Sequence, residues 1–303
     1  MLPSKQRPNG VKIQNLAAVL GSKLIRLSFL AVVPICFAAS EIRAQRIAVV
    51  TPDKAISSER FAVALGKDLS TEFKVLDSSL VQSAYRANAP AFPFNLSTQE
   101  VRNLGSRVGC DYIIILRAEL QRRNASGRSD YYEAYAPIWL FSSRSGRLIY
   151  WRLARHESTT PSVAVQMLDS STITLVKEIA ASVRRASDRE LSEEPAPAVE
   201  EVPETYTSAA GNFRPPIPFR RVKPLYTADA SFYDVAATVD ILADIAADGT
   251  ILRTEMVRTA GFGLDESVES AVRSMKWRPA ERDGKFISMR VLLRYNFKKL
   301  DKE

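Results

Sequence analysis

The chain has 303 residues, 46% apolar and 25% charged, a balance that supports folded cores and excludes a collagen-like or wholly disordered protein. Its formal charge of +8 hints at nucleic acid or anionic membrane, but residues 1–44 hold six of the 42 basic residues and one of the 34 acidic ones, so the remainder carries +3 and no nucleic-acid partner is expected. Two cysteines and a single histidine supply neither a zinc ligand set nor a convincing thiol–imidazole pair, which argues against metal and cysteine-nucleophile chemistry.

The elements follow in chain order. Lys5, Arg7, Lys12, Lys23 and Arg26 precede an apolar run from Leu27 to Ala39, interrupted by Ser28 and Pro34. Thirteen residues fall short of the about 20 that span a bilayer. The pattern fits a secretory signal over 1–44, with Ala44 as the cleavage point and Ala38 as a competitor. A signal anchor, lengthened through Leu24-Ile25 and never cleaved, is the second reading. Cys36 lacks the small preceding residue of a lipoprotein signal, so no lipid anchor is expected. Cleavage leaves Cys110 alone, heading the apolar run CDYIIIL, where a buried, inert thiol is expected.

Residues 45–187 read as a layered α/β domain of the three-layer type. Arg46 to Val50 and Phe73 to Leu76 are short strands, and Asp111 to Leu116 is a fully buried one. Ser57 or Ser58 is placed to cap a helix through Phe61, Leu65 and Leu69. A further helix is read at Leu80, Val81 and Tyr85, and Asn88 to Asn95 reads as a loop. Ser97-Thr-Gln-Glu100 is a capping box ahead of Val101, Leu104 and Val108. Tyr131–Phe141 and Arg147–Ala154 form a hairpin across Ser145-Gly146. One long helix follows Pro161, with Met167, Ile173, Val176, Ile179 and Val183 as its apolar positions. His156 lies just after a strand, on a surface or loop.

Residues 188–223 read as a flexible linker. Asp188 to Thr205 holds seven acidic residues, three prolines and one Arg, a composition that buries no core of its own. Fully extended, the 36 residues reach about 110 Å at ~3.1 Å per residue. Gly105-x-x-x-Gly109 is too sparse to cradle phosphate, and carboxylate pairs such as Glu193-Glu194 fall in the linker. No catalytic residue, cofactor or metal is expected, so the chain does not read as an enzyme.

Residues 224–300 form a compact strand–strand–helix–strand plan, a small α+β domain. Val239, Ile241, Ala243 and Ile245 alternate with Thr238, Asp240, Leu242 and Asp244, giving a strand with one buried face. Asp248-Gly249 suits a tight turn into a second strand, Ile251 to Thr259. Leu264, Val268, Ala271, Val272 and Met275 share one face of a helix that Leu264-Asp265-Glu266 opens and Pro279 stops. The last strand sets Met289, Val291, Leu293, Tyr295 and Phe297 on one face and Arg290, Arg294, Asn296 and Lys298 on the other.

That order of pieces resembles the C-terminal domain of TonB, the energy transducer of Gram-negative envelopes, over about residues 213–300. The counterparts are Pro224 and Tyr226, Asp248-Gly249, Ala260-Gly261, Leu264-Asp265, Ala271-Val272-Arg273, Trp277-Arg278-Pro279-Ala280, Asp283-Gly284 and the strand through Phe297. One departure is Tyr226-Thr227, where the family has Tyr-Pro. The resemblance implies a TonB-like β-β-α-β domain whose partner is a peptide of an outer-membrane TonB-dependent receptor, added at a sheet edge. The implied contacts are Tyr226 and Ser231 before the first strand, and Arg290, Val291, Leu292, Arg294 and Asn296 on the last. Arg290 and Arg294 would tune the peptide or simply blunt the edge. Arg46 to Val50, Gly109-Cys110-Asp111-Tyr112 and Ser145 to Trp151 make residues 46–186 similar to the TolB N-terminal, CsgG and FlgO group of envelope domains, which implies assembly with other proteins. A structural adaptor for another envelope protein is therefore the alternative to transport, and a homodimer stays open. The implied location is the periplasm or, with an uncleaved N-terminal segment, the inner membrane facing it.

Overall fold

The computed structural model describes residues 45–125, 128–193, 199–202 and 212–298. The expected signal or anchor lies outside these residues. All of them belong to one compact unit.

Strand β1 (Arg46–Val50) runs parallel to β2 (Lys74–Val75) and to β3 (Tyr112–Leu116). β4 (Glu119–Ala125) and β5 (Arg128–Ser142) form an antiparallel pair, β3 joins the second half of β5, and β6 (Leu148–Ser158) lines its opposite edge. Alternate residues of β1 and β3 enter two different cores, which is why both strands read as unbroken apolar runs. On one face Ile47, Val49, Ile114 and Leu116 pack with α1 (Ile56–Leu69), α4 (Pro161–Ser170) and α5 (Thr172–Ser192). On the other, Ala48, Val50, Ile113 and Ile115 pack with α2 (Ser78–Ala87) and α3 (Thr98–Val108).

Local chemistry explains most boundaries. The capping box is present: Ser97 Oγ accepts from the Glu100 N–H while Glu100 accepts from the Ser97 N–H. Ser57 and Ser58 do not cap α1, whose N-cap is Ala55; their hydroxyls donate instead to the Ala118 carbonyl and Asp53. The long helix after Pro161 is two helices. Ser170, Ser171 and Thr172 each donate a hydroxyl to a carbonyl of the preceding turn, and the helix is interrupted at Ser171. The break leaves Met167 and Ile173 exposed, while Val176, Ile179 and Val183 are buried. His156 lies within β6, paired opposite Ala134. Cys110 is buried, and its thiol is pushed up to about 11 by that burial.

The linker segment is more structured than its composition suggests. Asp188 still belongs to α5, and three two-residue strands follow: β7 (Glu200–Glu201), β8 (Phe213–Arg214) and β9 (Ile217–Pro218). Each borrows its ladder from the C-terminal lobe. That lobe contains α6 (Ala228–Phe232), β10 (Ala237–Ile245), β11 (Ile251–Arg258), α7 (Leu264–Arg273), β12 (Trp277–Arg278), β13 (Ala280–Arg282), β14 (Lys285–Ile287) and β15 (Met289–Phe297). The central sheet has the order β11-β10-β15-β7, with β9 on β12 and β8 on β13. Val239, Ile241, Ala243 and Ile245 are fully buried beside Leu264, Val268 and Val272 of α7, as the period-two and helical spacings require. Gly249 makes the β10–β11 turn at φ 85°, and a Cβ there would meet the Trp277 carbonyl oxygen at 2.2 Å.

The two lobes share a core. Phe262, held at φ 56° between Gly261 and Gly263, inserts against Trp139, Trp151 and Tyr233, with ring centroids 6.0, 5.0 and 6.1 Å away. Trp139 Nε1 donates to the Ala260 carbonyl at 3.1 Å. Tyr233 donates its hydroxyl to the buried Glu133, which also accepts from Arg123. Asn95 bridges the seam with one side chain: its amide donates to the Thr238 and Thr259 carbonyls at 2.8 Å each, and its oxygen accepts from the Thr238 N–H at 2.9 Å.

Candidate functional site

The side of β15 facing away from β10 is the feature with the clearest capacity to bind. β10 pairs with β15 along its whole length, whereas β7 reaches only Met289 and Arg290. Among the described residues no strand pairs with the outer side of β15 beyond Arg290. The Val202 N–H donates to the Arg290 carbonyl at 3.1 Å, which fixes the phase of the strand. By alternation the N–H and C=O groups of Leu292, Arg294 and Asn296 face the same open edge, in a row suited to a further strand.

The side chains along this edge divide by role. Leu292 is 54% exposed, while Val291 faces the core and is buried. Arg290 donates twice to Asp244, at 2.6 and 2.9 Å, and Arg294 twice to Asp240, at 2.7 and 3.0 Å. Both carboxylates are buried, so these arginines neutralise the outer face of β10, and their own pKa values are raised by those bonds. Arg258 also approaches Asp240, at 3.5 Å, and Glu100 of the first lobe, at 3.1 Å. Asn296 accepts from the Thr238 hydroxyl at 2.8 Å. Thus Leu292, Arg294 and Asn296 gather on the edge, and Arg290 lies under β7.

Tyr226 and Ser231 sit apart from that row. The Tyr226 hydroxyl donates to the Ala230 and Val235 carbonyls at 3.0 and 2.9 Å, and its ring stacks near Phe297. Ser231 is half-buried in α6, its N–H bonded to the Thr227 carbonyl. Both organise the segment that leads into β10. That segment and the far end of β15 meet at a cavity of about 450 Å³ between the lobes, lined among others by Phe94, Arg117, Trp139, Tyr233, Phe262 and Phe297. The Arg117 guanidinium lies over the Phe94 ring at 5.4 Å.

At the other end of the edge stands a cluster that the sequence reading missed. Glu200 of β7 accepts two bonds from Arg282, at 2.9 and 2.5 Å, and Glu201 lies 3.8 Å from Arg290. Arg282 also rests over the Phe213 ring, 5.3 Å from its centroid. Val202 packs against the shared core. The Glu-Glu-Val spacing carried no signal in sequence, because two residues show no period.

Asp265 reports on how the seam loop is held. Its carboxylate accepts from the Ala260 and Gly261 N–H groups at 2.8 Å each, and burial pushes its pKa up to about 7. A Cβ on Gly261 would lie 2.2 Å from Trp151 Nε1, so only glycine lets this loop reach the first lobe.

An open last strand, an α7 crossover and the segment before β10 are the features expected of one family. Residues 222–299 match the model of the Gram-negative bacterial TonB protein C-terminal. The chain is also similar to the solution structure of the Pseudomonas aeruginosa TonB C-terminal domain, at 21% identity, covering 29% of this chain and 89% of that one with a TM-score of 0.25. A lipoprotein from Neisseria meningitidis is 17% identical over 44% of this chain and 99% of its own, with a TM-score of 0.33. The LpoB C-terminal domain from Salmonella enterica is 12% identical over 38% and 85%, with a TM-score of 0.25. No curated protein matches the chain. Among the described residues no helix is long and apolar enough to cross a membrane.

Proposed function

We propose that this chain is a TonB-like binding protein of the Gram-negative envelope, acting on the periplasmic side. The open edge of β15 takes an extended segment of an outer-membrane transporter by strand addition and so supports TonB-dependent transport. The observation that carries this reading is the outward row of backbone groups at Leu292, Arg294 and Asn296, inside a segment that matches the TonB family model. Backbone bonds to such a row supply affinity, and side chains beside it supply selection. The role is one of recognition, with no catalytic group, metal or cofactor assigned.

A second reading is favoured by the shared core. A lobe fused to an α/β domain through Phe262, Trp139 and Asn95 is held as part of a larger body, as suits an assembly adaptor. A photo-crosslinking residue at Asn296 separates the two in the native envelope. Crosslinks to an outer-membrane transporter, lost when Leu292→Pro blocks the edge, support transport. Crosslinks that map to another envelope protein, or to a second copy of this chain, support the adaptor or a homodimer. No crosslink to any protein would sink both.

A further inference from the structure

The outer edge of β15 already has an occupant at its first two positions, and that occupant belongs to the chain itself. β7 lies parallel to β15, with Glu200 opposite Met289 and Glu201 opposite Arg290, and the Val202 N–H continues the ladder to the Arg290 carbonyl. Resting on the strand-addition reading above, we propose that Glu200–Val202 is a built-in competitor for the edge. We further propose that an incoming strand must carry the same chemistry: an acidic residue for Arg282 and Arg290, followed by an apolar residue.

Three observations support this. The segment runs along β15 as a guest strand would, bonded through its backbone. Its charge is matched to the site: Arg282 reaches both oxygens of Glu200, and Arg290 lies beside Glu201. The receiving guanidiniums are positioned without it, since Arg282 rests on the Phe213 ring and Arg290 is bonded to Asp244. The contact is also suited to displacement. Glu200 and Glu201 are exposed, and exposed ion pairs are weak in water and weaker in salt. Two ladder positions leave Leu292, Arg294 and Asn296 for a longer strand to add to, so a guest covering the whole edge outcompetes a strap covering its start. An acidic strap held in place by its tether acts as a local competitor that raises the concentration a guest needs.

The test uses the full-length chain and two fluorescent synthetic peptides, Ala-Val-Glu-Glu-Val-Pro and its Lys-Lys counterpart, read by anisotropy. Expected is that Glu200→Lys/Glu201→Lys, with unchanged circular dichroism, binds the Glu-Glu peptide at least about fivefold more tightly than the native chain, because the tethered competitor is gone. Adding Arg282→Glu, at a half-buried position, should reverse the gain. Equal binding by native and opened chains overturns the competitor. Equal binding of the two peptides by the opened chain overturns the acidic preference while strand addition stands. Binding of neither peptide by the opened chain overturns this proposal and counts against the strand-addition reading too.

Discussion

Two side chains show how burial decides consequence. Arg290 and Arg294 occupy equivalent outward positions on β15, yet among the described residues Asp244 beneath Arg290 has no second guanidinium at bonding distance, whereas Asp240 also has Arg258. Arg290→Ala should therefore cost about 3–5 kcal/mol in urea unfolding, because it strands a buried charge. Arg294→Ala, at a side chain 59% exposed, should cost about 1 kcal/mol or less. The alternation in the sequence put both arginines on the outer face; the carboxylates they serve depend on a register that alternation does not fix. Asp265 is a second case. The sequence placed it in the first turn of a helix, favoured by the dipole. The structure buries it beneath the seam loop and raises its pKa from 3.8 to about 7. The folded state then holds a proton that the unfolded chain has released. This contribution to stability is full below about pH 4 and is lost as pH rises through about 7. Urea unfolding at pH 5 and pH 8 should show the native chain losing more stability over that interval than Asp265→Asn; parallel losses would contradict the assignment.

Strands and helices with a full period were legible. β10 and β15 follow their apolar spacings residue for residue, α7 ends at Arg273 short of Pro279 with Met275 buried just beyond it, and the β5–β6 hairpin turns near Ser145-Gly146 as read. What failed was structure without a period. The α4–α5 break comes from three hydroxyls that turn back on carbonyls, and β7, β8 and β9 exist only because neighbouring strands offer them a ladder. Low-complexity composition reads as a tether whether or not such a partner waits nearby. The open edge of β15 leads to a prediction at this scale. Leu292 directs its N–H outward, so Leu292→Pro removes no bond to β10 and should cost about 1 kcal/mol in unfolding. It should nevertheless abolish crosslinking from Asn296. Retained crosslinking in a folded Leu292→Pro protein would show that partners bind elsewhere.

The sequence read as two domains joined by a tether, whereas in the structure one of the two apolar cores runs through both lobes. The reason is that Trp139, Phe262, Tyr233 and Phe94 lie on faces that only each other can cover, and pattern alone does not say which faces meet. Asn95 tests this coupling. Asn95→Ala leaves two carbonyls and one N–H without their partner and should cost about 2 kcal/mol. A shared core also predicts one unfolding transition seen alike by Trp139 in the first lobe and Trp277 in the second. If β15 takes its partner through its outer edge, the backbone amides on that edge must change on binding. Residue-resolved amide exchange on the full-length chain, with and without the partner segment identified by crosslinking, tests it most directly. New protection is expected at Leu292, Arg294 and Asn296, with Val291 and Leu293, already bonded to β10, unchanged. Unaltered exchange at those three amides in the bound state would contradict it.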